Sequence, residues 1–302
     1  MVSTNLTELL AAYINALHIL HRHGVLDGFG HLSVRNPNNP PTFFMVHAIA
    51  PALVSGLDDI SEYRISDAKP VNPDDPAGPI ERFIHSEVLK RYADVNVVLH
   101  GHPPELITYG VSSVKFRPVF HGAAFLGEHV PIFDITKHYQ PNDTQDFLVS
   151  NQRLGAALAA EFDDTSSSTC GVAQDACVDH SDDGPNRNSD SNHDDDRSGY
   201  PGHNLVLMRS HGFAAVATDI KIATFEGINA VANAEIQSKA LTMQHAYTGQ
   251  AAQGENGVAY LNQRQIRDTQ QTMLSVVERP WELWVREVKV NPLYVNELDP
   301  EY

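Results

Sequence analysis

Residues 97–103 read Val97-Val98-Leu99-His100-Gly101-His102-Pro103. Val95 to His100 is a short apolar run, the pattern of a buried strand. Side chains two apart on a strand point to the same side, so His100 and His102 project together from the strand's end. Two imidazoles on one side form half of a site for Zn²⁺ or a similar divalent ion. The competing reading is a pair of surface or core histidines satisfied by ordinary hydrogen bonds. A lone His-x-His motif does not separate the two.

Downstream, Asn204 to Met208 forms a second apolar strand that runs into Arg209-Ser210-His211-Gly212. His211 sits at that strand's end, before a glycine suited to a tight turn. Active sites collect at such ends in α/β folds. Three histidines ending two strands make the protein half of a catalytic metal site, with positions left for water or substrate. Upstream, Glu81 opens a predicted helix over 81–92, where free N–H groups favour its charge. It reads either as a helix-start acid or as a fourth ligand that leaves when substrate arrives and then shuttles a proton. His85 lies one turn later on the same face and reads as a supporting or structural residue.

Apolar residues at helical spacing predict a helix over 5–23, ended by Gly24. Gly28 to Arg35 is a glycine-punctuated turn entering a strand, 36–41 is a loop, and Thr42 to His47 is a second strand. Residues 58–75 read as edge strands and turns, and Val130 to Ile135 as a strand. Asp146 to Phe162, Ile220 to Tyr247 and 260–288 read as helices, with a loop over 249–257. This order argues for an α/β sandwich. Residues 1–302 are read as one domain, with a helical extension over 248–302.

The formal net charge is −17, and Lys and Arg never cluster, which argues against nucleic acid and acidic membrane surfaces as partners. The acidity is concentrated: residues 163–202 hold ten Asp and two Arg and almost no large apolar side chains. Such a segment cannot bury enough surface to offset its ordering entropy and reads as a disordered insertion. Both cysteines, Cys170 and Cys177, fall there, and two are no disulfide framework. No apolar stretch approaches the ~20 residues of a membrane span, and the N-terminus lacks the pattern of a signal peptide. The expected location is the cytosol.

Taken together, Glu81-x-x-x-His85, His100-Gly101-His102-Pro103 and Ser210-His211-Gly212, in that order, resemble the class II aldolase/adducin family. Gly30-His31-Leu32-Ser33-Val34-Arg35 stands where that family has a substrate-side Gly-Asn-Leu-Ser turn. The resemblance covers about residues 6–247, interrupted by the acidic segment. It implies a three-layer α/β/α sandwich with a mainly antiparallel central sheet. It further implies a divalent metal held by His100, His102 and His211 with help from Glu81. Zinc is the first choice, with manganese, iron and cobalt as alternatives. A homotetramer with active sites between subunits is also implied.

The chain departs from the sugar-phosphate aldolases of the family. His31 replaces their Asn, and their phosphate-cradling Thr-Pro-Ser-Gly stretch stands here as Ile49-Ala50-Pro51-Ala52-Leu53-Val54-Ser55. That stretch has lost the glycine and most of the hydroxyls needed for close backbone approach to phosphate. Ala50 to Val54, Glu81-Arg82-Phe83-Ile84-His85 and His121-x-Ala123-Ala124-Phe125-Leu126 look like another branch, the decarboxylases of hydroxylated aromatic acids of the dihydroxyphthalate type. The expected activity is therefore a metal-dependent lyase acting on a small molecule by decarboxylation. The alternatives are aldol-type cleavage and a non-catalytic, adducin-like scaffold. Glu81 is the first candidate proton shuttle, with His31 and His121 as alternates. Arg35 and Arg82 are candidates to hold a second substrate carboxylate, and His47 a candidate to face substrate.

Overall fold

The computed structural model describes residues 5–76, 78–163, 199–249 and 257–299. Its strands are β1 (His31–Arg35), β2 (Thr42–Val46), β3 (Ile60–Arg64), β4 (Val97–Gly101), β5 (Ile132–Phe133), β6 (Leu205–Met208) and β7 (Gly212–Ala217). Its helices are α1 (Leu6–Arg22), α2 (Arg82–Arg91), α3 (Pro104–Val111), α4 (Gln152–Ala160), α5 (Ile220–Thr248), α6 (Gln263–Leu274) and α7 (Glu278–Lys289). The strands form one sheet in the order β3-β2-β1-β4-β7-β6-β5. Every pairing is antiparallel except β5 with β6.

The period-2 alternation of strand side chains builds the layers. Val97 and Leu99 of β4, and Phe213, Ala215 and Ala217 of β7, join a core beneath α1, α3, α5 and α7. Val98, Ala214 and Val216 face the other way, into a core covered by α2 and α4. The result is the expected α/β/α sandwich. Tyr13 ties the first layer to the sheet: its hydroxyl donates to the Leu32 carbonyl (2.7 Å) and accepts from the Val46 N–H (3.1 Å).

Two elements lie outside the sequence reading. β7 follows His211 at once and makes the Arg209–His211 segment a hairpin turn. α3 begins directly after Pro103, with proline at its first position, where a missing N–H costs nothing. The expected helix over 146–162 starts only at Gln152, where the Asn151 side chain caps it. The single helix expected over 260–288 is two, α6 and α7. The acidic insertion, its predicted disorder and both cysteines fall almost wholly on 164–198, outside the described residues. Among those described, no helix is long and apolar enough to cross a membrane.

One buried acid in α5 gives a stability prediction. Glu226 is 2% exposed and accepts from Asn204 Nδ2 at 3.0 and 3.3 Å. Burial pushes its carboxyl up to about 8, with Asn204 pulling the other way. Since the folded value exceeds the unfolded 4.5, folding favours the protonated form. Stability is then fully present below pH 4.5 and falls as pH rises toward 8. Glu226→Gln, which keeps the amide partner, should stabilise the protein at pH 7 by on the order of 2–3 kcal/mol. The gain should vanish below pH 4.5. Denaturation midpoints across that range check it, and a pH-independent difference would sink the argument.

Candidate metal centre and its cavity

β4 and β7 pair with His100 opposite Ala214, and Gly101 opposite Phe213. The hairpin turn before β7 therefore lies beside the end of β4, and the turn's His211 comes to His100 and His102. Glu81 arrives from the first turn of α2. One ligand atom from each of Glu81, His100, His102 and His211 lies within 4.8 Å of all the others. Glu81 caps its helix without a side-chain bond to it. Its Oε1 instead accepts the Val149 N–H (2.9 Å), and Oε2 stands 3.4 Å from His100 Nε2 and 3.3 Å from His211 Nε2. Burial alone would raise this carboxyl. The imidazoles of His100 and His211 outweigh that and hold it well below the usual carboxylate range, as the anion.

The donor set fits a cation. His100 Nδ1 lies 2.8 Å from the Phe213 carbonyl, which can only accept, so a neutral His100 presents its Nε2 lone pair to the cluster. His102 Nδ1 faces the Asp27 carboxylate at 3.2 and 3.3 Å, which leaves its Nε2 in the same state. These two Nε2 atoms are 2.9 Å apart. At that distance the two nitrogens share either a proton or a cation, and the carboxylate beside them favours a positive centre. Three imidazoles and one carboxylate suit Zn²⁺ and its neighbours in the series.

Asp27 was not singled out in the sequence. It also accepts the N–H groups of Phe29 (3.0 Å) and Gly30 (2.7 Å), so one side chain fixes both the turn and His102. An Asp-Gly pair before a strand is a turn signal, but its second task depends on the tertiary fold. Asp27→Asn keeps an oxygen for the turn while losing the charge behind His102. It should weaken metal binding about 10–100-fold, measured by competition with a chelator. Wild-type affinity would refute that role.

The cluster opens into a cavity of about 560 Å³. His31, His47, Glu81, His102 and His211 line it, with a wall that includes Phe29, Ile49, Ile80 and Leu148. No lysine or arginine is among the described residues that line it. His47 sits at the cavity through Ser61 Oγ (3.2 Å) and the Asp58 carbonyl (3.0 Å). His31 is 3% exposed, and its Nδ1 is 2.7 Å from Nε2 of the wholly buried His85. Burial, then the neighbouring histidines His85 and His100, hold His31 well below an ordinary imidazole. Burial first and His100 second bring His85 down to about 3.

Three candidates do not join the cluster. Arg35 lies at the far end of β1 and donates to the carbonyls of Val95, Leu89, Tyr92 and Pro40. Its bonds to Leu89 and Tyr92 close the C-terminal end of α2, where carbonyls lack helical partners. Arg82 spends its donors on the Ala68 (2.9 Å) and Pro79 (3.1 Å) carbonyls and lies over the Phe83 ring. Neither guanidinium has a free fork aimed into the cavity. His121, itself exposed, begins a 3₁₀ turn whose other residues are buried, beside Phe225, Gln270 and Met273 and away from the cluster of Glu81, His100, His102 and His211.

Residues 11–178 match the Class II Aldolase and Adducin N-terminal domain. The chain belongs to that family. It is 40% identical over 287 residues to Decarboxylase tropJ of Talaromyces stipitatus, covering 94% of this chain and 95% of that protein. It is 26% identical over 157 residues to 3,4-dihydroxyphthalate decarboxylase of Arthrobacter keyseri, covering 47% and 58%. Among solved structures, an aldolase II superfamily protein from Pseudomonas syringae aligns with TM-score 0.64 at 15% identity, over 99% of this chain and 98% of that one. L-fuculose 1-phosphate aldolase from Glaciozyma antarctica aligns at 0.61 and 14%, over 96% and 92%. At those identities the structures speak for the fold alone. In this member of the class II aldolase/adducin family, the stretch over 49–55 carries a 3₁₀ turn with Pro51 and Val54 buried. That leaves no glycine-rich cradle for a phosphate.

Proposed function

We propose that this chain is a divalent-metal-dependent carbon–carbon lyase that decarboxylates a hydroxylated aromatic or related carboxylic acid. The observation that carries the reading is the convergence of Glu81, His100, His102 and His211 at the head of a cavity walled by apolar side chains. The decarboxylases among its relatives support the reaction type. A cation in this donor set, zinc first, supplies Lewis acidity toward the charge that develops on oxygen as a carboxylate is lost.

The chain's own residues supply the rest. Phe29, Ile49, Ile80 and Leu148 offer apolar surface suited to a flat ring. The Val149 N–H holds one oxygen of Glu81, and the other is left beside the cluster. Glu81 is thus the group placed to take or return a proton at a substrate bound there. The lack of lysine and arginine among the described lining residues, and of glycine over 49–55, argues against sugar-phosphate cleavage. The intact set of histidines argues against a purely structural, adducin-like role. The reading takes residues 1–302 as one such domain, with the helices after 248 as an extension, working in the cytosol as a homotetramer.

Elemental analysis of the purified protein, followed by a screen of hydroxylated aromatic and dicarboxylic acids for CO₂ release, tests the proposal. Bound metal at one equivalent per chain and CO₂ from at least one acid are expected. Aldehyde release from a hydroxy-ketone or hydroxy-acid would favour aldol cleavage instead. Full turnover without metal would remove the reading altogether.

A further inference from the structure

Glu81 meets the cluster with Oε2, while its Oε1 accepts the Val149 N–H at 2.9 Å. The last torsion of a glutamate side chain is broad, so nothing within Glu81 sets the plane of its carboxylate. Its side chain makes no capping bond to α2 either. Outside the cluster, the Val149 amide is the group that fixes it.

The segment that delivers this amide turns at Phe147, whose φ of 65° lies in the left-handed region. A bulky side chain avoids that conformation, because its Cβ crowds the following carbonyl. Glycine or asparagine is the usual occupant. Such a conformation persists only where the surroundings over-determine it, and it gathers at functional sites. Here the turn is pinned from both sides. The Phe147 N–H donates to the Tyr139 hydroxyl (2.8 Å), and the Asp146 carboxylate accepts from the Leu148 N–H (3.1 Å). Directly beyond, Leu148 lines the main cavity and the Val149 N–H meets Glu81. The Phe147 ring packs on the core under α2 and α4, and with His211 it lines a second, small cavity.

We infer that the left-handed turn at Phe147 is a positioning device for Glu81, holding the Val149 N–H on Oε1 and so keeping Oε2 turned to His100 and His211. The inference rests on the metal-site reading and adds Phe147 and Tyr139 to it as positioning residues that act through Glu81. The backbone and the ring of Phe147 make opposite demands on a substitute. Valine keeps apolar bulk but disfavours a positive φ, whereas asparagine accepts a positive φ and gives up the apolar ring.

The test measures the zinc affinity of the full chain by competition with a chelator. Phe147→Val should weaken zinc binding about 10–100-fold, the range for a support behind a metal ligand. Phe147→Asn should stay near the wild type. A ring acting by packing, on the core or beside His211, predicts the opposite order, and that order overturns the inference. So does an equal loss in both variants, or a loss in neither. Phe147→Val should cost nothing further in a Glu81→Ala background, since it acts through that carboxylate. An undiminished loss there places its effect elsewhere and overturns the inference too. Should Phe147→Val not fold, Tyr139→Phe decides, because it keeps the ring and removes the hydroxyl that accepts the Phe147 N–H. It should weaken zinc binding about tenfold, the size of one hydrogen bond, and only while Glu81 is present. A Tyr139→Phe protein with wild-type affinity overturns the inference and leaves the metal site standing. A wild type that takes up no zinc removes the metal reading and this inference together.

Discussion

His102→Ala should lose both bound metal and turnover while the protein stays folded. His102 is the best position for this experiment because it stands just beyond the end of β4, with its side chain 16% exposed. Its ring contacts are Asp27 and the other members of the cluster. His100, by contrast, is wholly buried and bonded to the Phe213 carbonyl, so its removal would mix a cavity in the core with the loss of a ligand. Removing one of three neutral nitrogen donors leaves a site poorer than the minimum a catalytic zinc centre uses. Metal analysis should read background, and CO₂ release from any acid the wild type accepts should vanish, with thermal unfolding otherwise cooperative. His47→Ala, which alters the cavity but not the cluster, serves as the control and should keep its metal. A His102→Ala protein that holds a full equivalent of metal would show that the cation sits elsewhere.

Gly212→Ala should be among the most damaging single substitutions in the chain. A methyl group there would come within 2.1 Å of the Gly101 carbonyl oxygen, backbone against backbone at the centre of the sheet. Neither strand can step aside, because β4 is held by β1 on its other edge and β7 by β6. The clash would break the β4–β7 ladder where it sets the distance between His100 and His211. A loss of more than ~4 kcal/mol is expected, in the range reserved for backbone and core disruptions. That corresponds to a drop of roughly 10 °C or more in midpoint temperature for a chain of this size. A variant with wild-type stability and metal content would refute this account of the glycine.

Much of the architecture was legible because it follows from periodicity. The apolar run of β4 and the helical spacing in α1 and α5 marked those elements in the sequence. β7 was hidden by its composition: Gly212-Phe213-Ala214-Ala215-Val216-Ala217 is poor in the β-branched residues that mark strands. Its strand state comes from pairing on both edges, not from local preference. Gly212 itself reads as a turn residue in sequence, yet the left-handed backbone of that hairpin falls on Ser210, at φ 59°. The glycine is needed for close approach to Gly101, a fact that no local pattern carries.

The same division runs through the site. The histidines and Glu81 could be singled out by residue type and position at element ends. Whether a charged side chain faces the cavity could not. Arg35 and Arg82 are adjacent in sequence to site elements, but one points along β1 to the end of a helix and the other back into a loop. His121 raises the same difficulty at longer range, since its neighbours come from α5 and α6. Asp27 and His85 gain their importance from partners 75 and 54 residues away. Only the folded chain brings those pairs into contact.

The absence of lysine and arginine from the described cavity wall has a thermodynamic corollary. On the proposed reading, no lysine or arginine among the described lining residues would neutralise an incoming acid, so that task would fall to the divalent ion. That reading expects ordered loading, cation first and acid second. By linkage, each would then tighten its hold in the presence of the other, so the pocket's affinity would belong to the ion pair and not to either partner alone.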